Sequence, residues 1–354
     1  MTDITRSTTL LVILAVIIVW PQGTEAGLFD KISEGFTGPK AQDKACQKGT
    51  AEQCTSLGYR YLNGNEVPRD LGKAGDYFQL GCEGGQQTAC HELYSVGFKL
   101  LHGKRGFEKN IEASQRFLRM ACKGGARTYS GSACHELAKL DLKQPSIETN
   151  AVETLLHRAC DGGSRQGCHT LGEELLSGEH LQRDVTKALA ALAKACKDEQ
   201  KVRAACASLG QIYNEGKLVK RDVAKAELYL NGACTFPGWS GRACYALALL
   251  YEKELSGKKS DKEIEDLYHI ACHRAEEDRV GDACIAAAKM HQAGRGVEKD
   301  DNWVNELYNR GCQLKHKYSC RLSCERNCKL GQSFACEALK KNRIPLGVTN
   351  CYKL

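Results

Sequence analysis

A chain of 354 residues is long enough for two or three globular domains, but six prolines, 35 glycines and 42% hydrophobic residues favour helices joined by short turns over an all-β fold. The formal net charge of +7 is small for that length and is concentrated: residues 310–354 hold ten Lys or Arg against Glu325 and Glu337, so an extended nucleic-acid-binding surface is excluded. Twenty cysteines argue for an oxidising compartment, where paired thiols persist.

Residues 1–26 read as an export signal. Arg6 precedes the apolar run 10–20, and Pro21 leads into Thr24-Glu25-Ala26, small residues at a cleavage site expected after Ala26. That run is too short to cross a hydrocarbon core of ~30 Å, and no later segment is apolar enough to span one. The mature chain is therefore expected to be exported, to a periplasm or to the medium, without a transmembrane segment. Over residues 27–53, Gly35, Gly38 and Pro39 prevent a long helix, which leaves a lead-in closed by a short capping helix near Ala41–Cys46.

From Cys46 onward the cysteines come in pairs eight to twelve residues apart: Cys46/Cys54, Cys82/Cys90, Cys122/Cys134, Cys160/Cys168, Cys196/Cys206, Cys234/Cys244, Cys272/Cys284 and Cys312/Cys320. Between pairs lie seven helix-turn-helix units, 54–82, 90–122, 134–160, 168–196, 206–234, 244–272 and 284–312, so residues 54–320 are expected to form a tandem helical array. In the second helix of each unit, helix B, the residue twelve before the closing cysteine is Asp70, Asn110, Glu148, Asp184, Asp222, Ser260 or Asp300. Most of these accept hydrogen bonds from the free N–H groups of a helix start. Pairs such as Tyr77 and Phe78, Phe117 and Leu118, and Tyr229 and Leu230 mark the buried face of helix B. Gly84-Gly85, Gly124-Gly125 and Gly162-Gly163 supply the positive φ that ends it. Helix A is expected to begin at the second cysteine, with Leu57, Leu93, Leu137, Leu171, Leu209 and Leu247 three residues on; Gly58, Gly172 and Gly210 then allow close helix approach.

Residues 321–354 form a basic, cysteine-rich cap. If Cys328 pairs with Cys336, Cys324 and Cys351 remain to tie down the tail. The spacings suit structural disulfides joining helix B to the next helix A. Zinc sites favour closer ligands, and neither C-x-x-C nor C-x-x-C-H is present, so no metal or haem is expected and no cofactor is assigned.

The pattern A-C-x-G-G…A-C-x-x-L-G-x-x-Y…G…D-x-x-K-A…Y…A-C resembles the Sel1-like repeat family, and the cysteine pairing resembles its secreted branch, the Helicobacter cysteine-rich proteins. The resemblance covers about residues 41–320. It implies an all-α, right-handed α/α solenoid similar to tetratricopeptide arrays, with helix A lining a concave face. For function it implies an adaptor that binds a protein or peptide; some cysteine-rich members are classed as penicillin-binding proteins or β-lactamases, and a mitochondrial branch also uses cysteine pairs. The expectation is a non-enzymatic, exported binding module. A β-lactam-binding protein or weak β-lactamase and an intermembrane-space assembly factor are the alternatives.

No catalytic residue is assigned. The one S-x-x-K, Ser256 to Lys259, contains Gly257 within a predicted turn and lacks the companion elements of a serine β-lactamase. For binding, the informative column is the residue after each second cysteine, which includes His91, His135, His169 and Tyr245, with Glu92 and Glu136 beside the first two. Three successive repeats thus place histidine at one structural position, where a groove could hold a ligand or metal and lose it on protonation near pH 6. The plainer reading is a duplicated C-H-E-L segment. Basic residues of the cap, among them Arg321, Arg326 and Lys341, offer a contact for an anionic envelope surface or acidic partner, or serve only to solvate the array's end.

Overall fold

The computed structural model describes residues 38–124, 127–144, 148–197, 202–235, 238, 240–254, 257–274, 280–341 and 344. The expected leader, Ser256 and Cys351 lie outside them. Among the described residues the chain is helical and contains no strand. The helices in order are α1 (Pro39–Gln47), α2 (Ala51–Asn63), α3 (Leu71–Glu83), α4 (Gln87–His102), α5 (Ile111–Lys123), α6 (Arg127–Asp141), α7 (Thr149–Asp161), α8 (Arg165–Ser177), α9 (Val185–Ala195), α10 (Arg203–Glu215), α11 (Val223–Ala233), α12 (Gly241–Lys253), α13 (Asp261–His269), α14 (Gly281–Ala293), α15 (Asp301–Gln313), α16 (Lys317–Lys329) and α17 (Ser333–Lys340). A π-helical turn, Ile270–Arg274, continues α13.

Packing divides the chain into two units, Met1–Val96 with Gly124–Ala126, and Gly97–Lys123 with Arg127–Leu354. In the first unit α2 packs on α1 and α3 around Cys46, Cys54 and Leu57. Tyr61 stacks on Tyr77 at 5.5 Å, and the Lys73 ammonium lies 5.2 Å from the Tyr61 ring centre. The second unit repeats this device: Tyr213 stacks on Tyr229 at 5.8 Å beneath Lys225. Each stack ties the end of helix A to helix B of the same repeat, and each lysine lies three residues after the capping aspartate.

In the second unit each A helix packs against the B helix that follows it, and successive A helices also touch, α6 with α8, α8 with α10, α10 with α12 and α14 with α16. This row of A helices is the stacking expected of an α/α solenoid. Close approach within a repeat depends on glycine. A Cβ on Gly172 would lie 2.6 Å from the Leu192 Cγ, and one on Gly210 would lie 2.6 Å from the Leu230 Cγ, both well inside van der Waals contact.

Every helix B starts one residue after its expected cap. Asp70, Asn110, Asp184, Asp222, Ser260 and Asp300 each accept a backbone N–H from the first turn, at 2.9 to 3.2 Å. The backbone N–H of the cap also closes the A–B turn, donating from Asp70 to Tyr61, from Asp184 to Leu175 and from Asp222 to Tyr213. Glu148 is the exception and makes no side-chain capping bond. Its extra methylene carries the carboxylate past the N–H groups a shorter side chain would reach. Glu148→Asp is therefore expected to raise stability by ~0.5–1 kcal/mol and Asp222→Ala to lower it by ~1 kcal/mol, both read from urea unfolding midpoints.

At the helix ends one expectation is sharpened and one corrected. The positive φ falls on the second glycine of the pairs, +90° at Gly85 and +85° at Gly163, while Gly84 and Gly162 stay at negative φ. The second cysteine of a pair does not open helix A. Cys54, Cys90, Cys168, Cys206, Cys244, Cys284 and Cys320 each lie three residues inside helices that start at Ala51, Gln87, Arg165, Arg203, Gly241, Gly281 and Lys317, and Cys134 lies seven residues inside α6, which starts at Arg127. The units bounded at 54, 90, 134, 168, 206, 244 and 284 therefore begin about a turn or more before those cysteines. In two of these helices a serine cap supplies the physical reason: Ser164 accepts from the Gly167 N–H and Ser240 from the Ala243 N–H, which starts the helix as soon as the chain leaves the loop.

The eight regular cysteine pairs are bonded as expected: Cys46–Cys54, Cys82–Cys90, Cys122–Cys134, Cys160–Cys168, Cys196–Cys206, Cys234–Cys244, Cys272–Cys284 and Cys312–Cys320. Cys328 is bonded to Cys336 in the same way. Across all nine bridges the Cα atoms lie 4.3 to 5.0 Å apart. Cys324 is also disulfide-bonded. The tail pairing expected for it falls on Cys351, outside the described residues.

Candidate functional site

The residue after each second cysteine falls on helix A past its first turn, and burial there differs from repeat to repeat. His91 on α4 is exposed, with its Nδ1 3.5 Å from the Glu92 carboxylate, and Glu92 accepts a hydrogen bond from the Tyr59 hydroxyl at 3.3 Å. His135 on α6 is 8% exposed and its Nε2 lies 2.9 Å from the Thr170 Oγ1 on α8. Burial lowers its pKa to about 4, against the smaller upward pull of Glu136. Glu136 is itself paired with Lys139 at 3.2 Å. His169 on α8 is close enough to act electrostatically on His135, and burial lowers its pKa as well; its Nε2 lies 3.6 Å from Glu173. His135 and His169 are thus brought together in the second unit, His135 as a buried ring whose titration belongs below the expected range near pH 6, and His169 as a half-buried one whose pKa is shifted in the same direction. Among the described residues no group of three or more His, Cys, Asp or Glu side chains is arranged to hold a metal ion.

Cavities lie along the A-helix row instead. One, of about 190 Å³, is lined by His169 and Glu173 on α8, by Ala207, Ser208 and Gln211 on α10, and by Arg242 on α12. Ser208 donates a 2.8 Å hydrogen bond to Glu173 across it. A second cavity of about 190 Å³ shares Ser208 and Gln211 and adds the apolar Leu176, Ile212 and Leu218. Between α12 and α14 the row opens into a cavity of about 560 Å³. Tyr245, Leu249 and Glu252 face it from α12, and Ile285, Lys289 and Met290 from α14, in both cases at the spacing of one helix face. The residue after the second cysteine lines one of these cavities in four repeats, as His169, Ala207, Tyr245 and Ile285, whereas His91 and His135 line none of the three.

The residues missed by sequence reasoning are Glu252, further along the α12 face, and those that meet it from α13 and from the turn after α14. Tyr268 donates a 2.7 Å hydrogen bond to Glu252, which also accepts from Arg295, and the Arg295 Nε lies 3.1 Å from Asp261. The signal for Glu252 was present as the i, i+4, i+7 series Tyr245, Leu249, Glu252, but without a partner helix it could not be told from an ordinary buried stripe, and nothing in the sequence joined Tyr268, Arg295 or Asp261 to it.

The other candidates do not assemble. Lys259, of the S-x-x-K match, donates to Glu263 at 2.7 Å, and this bond raises its pKa, which keeps it an ammonium and unsuited to act as a base. In the basic cap Arg321 pairs with Glu325, Arg326 with Asp301 and Lys341 with Glu337. No described helix is long and apolar enough to cross a membrane.

A family model described as the Sel1 repeat matches residues 54–86, 93–125, 203–235, 241–264 and 281–302. Among solved structures, a Sel1 repeat protein from Oxalobacter formigenes is similar over 91% of this chain and 82% of that one, with a TM-score of 0.54 and 16% identity. A protective antigen of uropathogenic Escherichia coli with the same repeat fold is similar over 84% of this chain and 69% of that one, at 19% identity and a TM-score of 0.46. Among curated proteins, human cytochrome c oxidase assembly factor 7 is 29% identical over 125 residues, 33% of this chain and 51% of that protein. The match thus spans about half the length of that relative.

Proposed function

We propose that this chain, which belongs to the Sel1-repeat proteins, is a non-enzymatic binding module that holds a polypeptide partner on the face shared by α8, α10, α12 and α14. The observation that carries the reading is the succession of cavities along this one row of helices, each part polar and part apolar. Such a surface offers hydrogen-bond partners and apolar area together, as peptide-binding grooves do. Binding of a partner rather than chemistry is also what the side chains support: of the charged groups lining the cavity between α12 and α14, Glu252 and Arg295 are held by each other and Asp282 by His316.

A photo-reactive residue placed at Ser208 or Ala286, on this row, is expected to crosslink one and the same partner in the native cells. The same residue at Leu228, which is 66% exposed on α11, is expected to give none of it. Capture only from Leu228 would move the binding face to the B helices.

We also propose that the chain works in an oxidising compartment, as nine described disulfides require. Export is the first reading. The similarity to human cytochrome c oxidase assembly factor 7 favours a second, an assembly factor of the mitochondrial intermembrane space. Sequencing the mature N-terminus separates them: a start at Gly27 supports cleavage by a signal peptidase, and retention of residues 1–26 supports the second.

A further inference from the structure

The cavity between α12 and α14 has a charge and ring pattern of its own. Tyr245 and Tyr268 meet at 5.8 Å with their planes tilted by 51°, and Tyr318, 55% exposed on the first turn of α16, lies at its rim. Aromatic faces carry partial negative charge and attract cations. The full charges that line this space are Glu252 and Asp282 against Arg295 and Lys289, so what a ligand meets is set by which of them are already engaged. Asp282 and Glu252 both act on the Tyr245 hydroxyl, and with burial they hold it protonated. Arg295 is shared between Glu252 and Asp261, so one cation faces two carboxylates there. Asp282 is half-exposed, and its partner 3.3 Å away is the His316 imidazole, which neutralises it only when protonated. Lys289 also lines the cavity but is exposed on α14, where its ammonium can turn to water. Leu249, Ile285 and Met290 supply an apolar wall beside the rings.

We infer that this cavity receives a cationic side chain, arginine or lysine, presented by the partner polypeptide, with its aliphatic stem along Leu249, Ile285 and Met290 and its charged head between the tyrosine faces and Asp282. The inference rests on the peptide-binding reading above and names what the cavity between α12 and α14 selects. At about 560 Å³ there is room for the side chain and for the backbone that carries it.

The test is calorimetric titration of the full oxidised protein with capped five-residue peptides that differ at the central position: arginine, lysine, the neutral isostere citrulline, and glutamate. The arginine and lysine peptides are expected to bind saturably, about ten-fold or more tightly than the citrulline peptide, while the glutamate peptide does not bind. Asp282→Asn and Tyr318→Ala, both at exposed positions, are each expected to weaken the arginine peptide several-fold and leave the thermal midpoint unchanged. Equal binding of arginine and citrulline, preference for glutamate, no saturable binding by arginine, or indifference to Asp282→Asn would each overturn it. Crosslinking from Ser208 and Ala286 keeps the two readings apart. A partner captured there equally by the parent and by Asp282→Asn removes the cation site but not the binding face; no partner at either position removes the face itself.

Discussion

Complete reduction of the disulfides is expected to abolish the cooperative thermal transition and most of the helical signal in circular dichroism at 37 °C. Each bridge joins the end of one helix to the opening turns of the next, from a helix B to a helix A in the seven bridges from Cys82–Cys90 to Cys312–Cys320, across eight to twelve residues. On the chain-entropy model, closing a loop of that size disfavours the unfolded chain by ~2.5–3 kcal/mol, so removal of one pair by Cys160→Ser with Cys168→Ser is expected to lower stability by about that much. The bridged sulfurs are buried, Cys160 at 7% exposure and Cys168 at 3%, so the double variant also leaves two hydroxyls in an apolar setting. In an array each repeat contacts its neighbours only, and loss of every staple acts on every junction at once. Since a folded domain holds a net stability of only ~5–15 kcal/mol, the reduced chain has little reserve. A reduced protein melting within a few degrees of the oxidised one would show that helix packing suffices and the bridges guard only against proteolysis.

Acidification from pH 7 to pH 4 is expected to destabilise the chain through His135, and a titration of stability comparing the parent with His135→Gln reads this contribution. The folded state holds the imidazole neutral, with its pKa lowered to about 4 by burial, while in the unfolded chain it returns to an ordinary value near 6.5. Above pH ~6.5 both states are neutral and the group is without effect. Below that, the unfolded chain takes up the proton first, so stability falls as pH drops towards 4, by on the order of 3 kcal/mol at most. Glu136 opposes the shift, whereas Lys139 and His169 add to it. His169, also lowered by burial, acts in the same direction. Glutamine can keep a hydrogen bond to Thr170 and does not titrate, so the difference in unfolding free energy between parent and variant should move in favour of the variant as pH falls. A difference independent of pH would mean that the ring is solvated when folded.

The repeat, its register and its bridges could be read from the chain because they are local. A cap twelve residues before a cysteine, an apolar pair on helix B and a glycine within helix A each depend on helix geometry within one unit. The six capping side chains, the close approaches at Gly172 and Gly210, and the nine pairs eight to twelve residues apart follow from that geometry. Two local details were decided by which backbone group came first into reach. One is the positive φ at Gly85 and Gly163; the other is the start of helix A, which serine caps place about a turn ahead of Cys168 and Cys244.

The binding face belongs to the tertiary structure. His91, His135 and His169 occupy one position in three successive repeats, yet the first is exposed and the other two are held neutral, because burial at a helix position is set by the neighbouring helix and not by the repeat it belongs to. Tyr245 was visible as a member of that column. Its setting was not, since Tyr268, Asp282 and Tyr318 come from three other helices up to 73 residues away, and only stacking brings their rings and charges to one cavity. The sequence by itself determined the helices, most of their ends and the staples between them. Where helix A of one repeat meets the next, and where it parts from it, was decided by packing between side chains that are far apart along the chain.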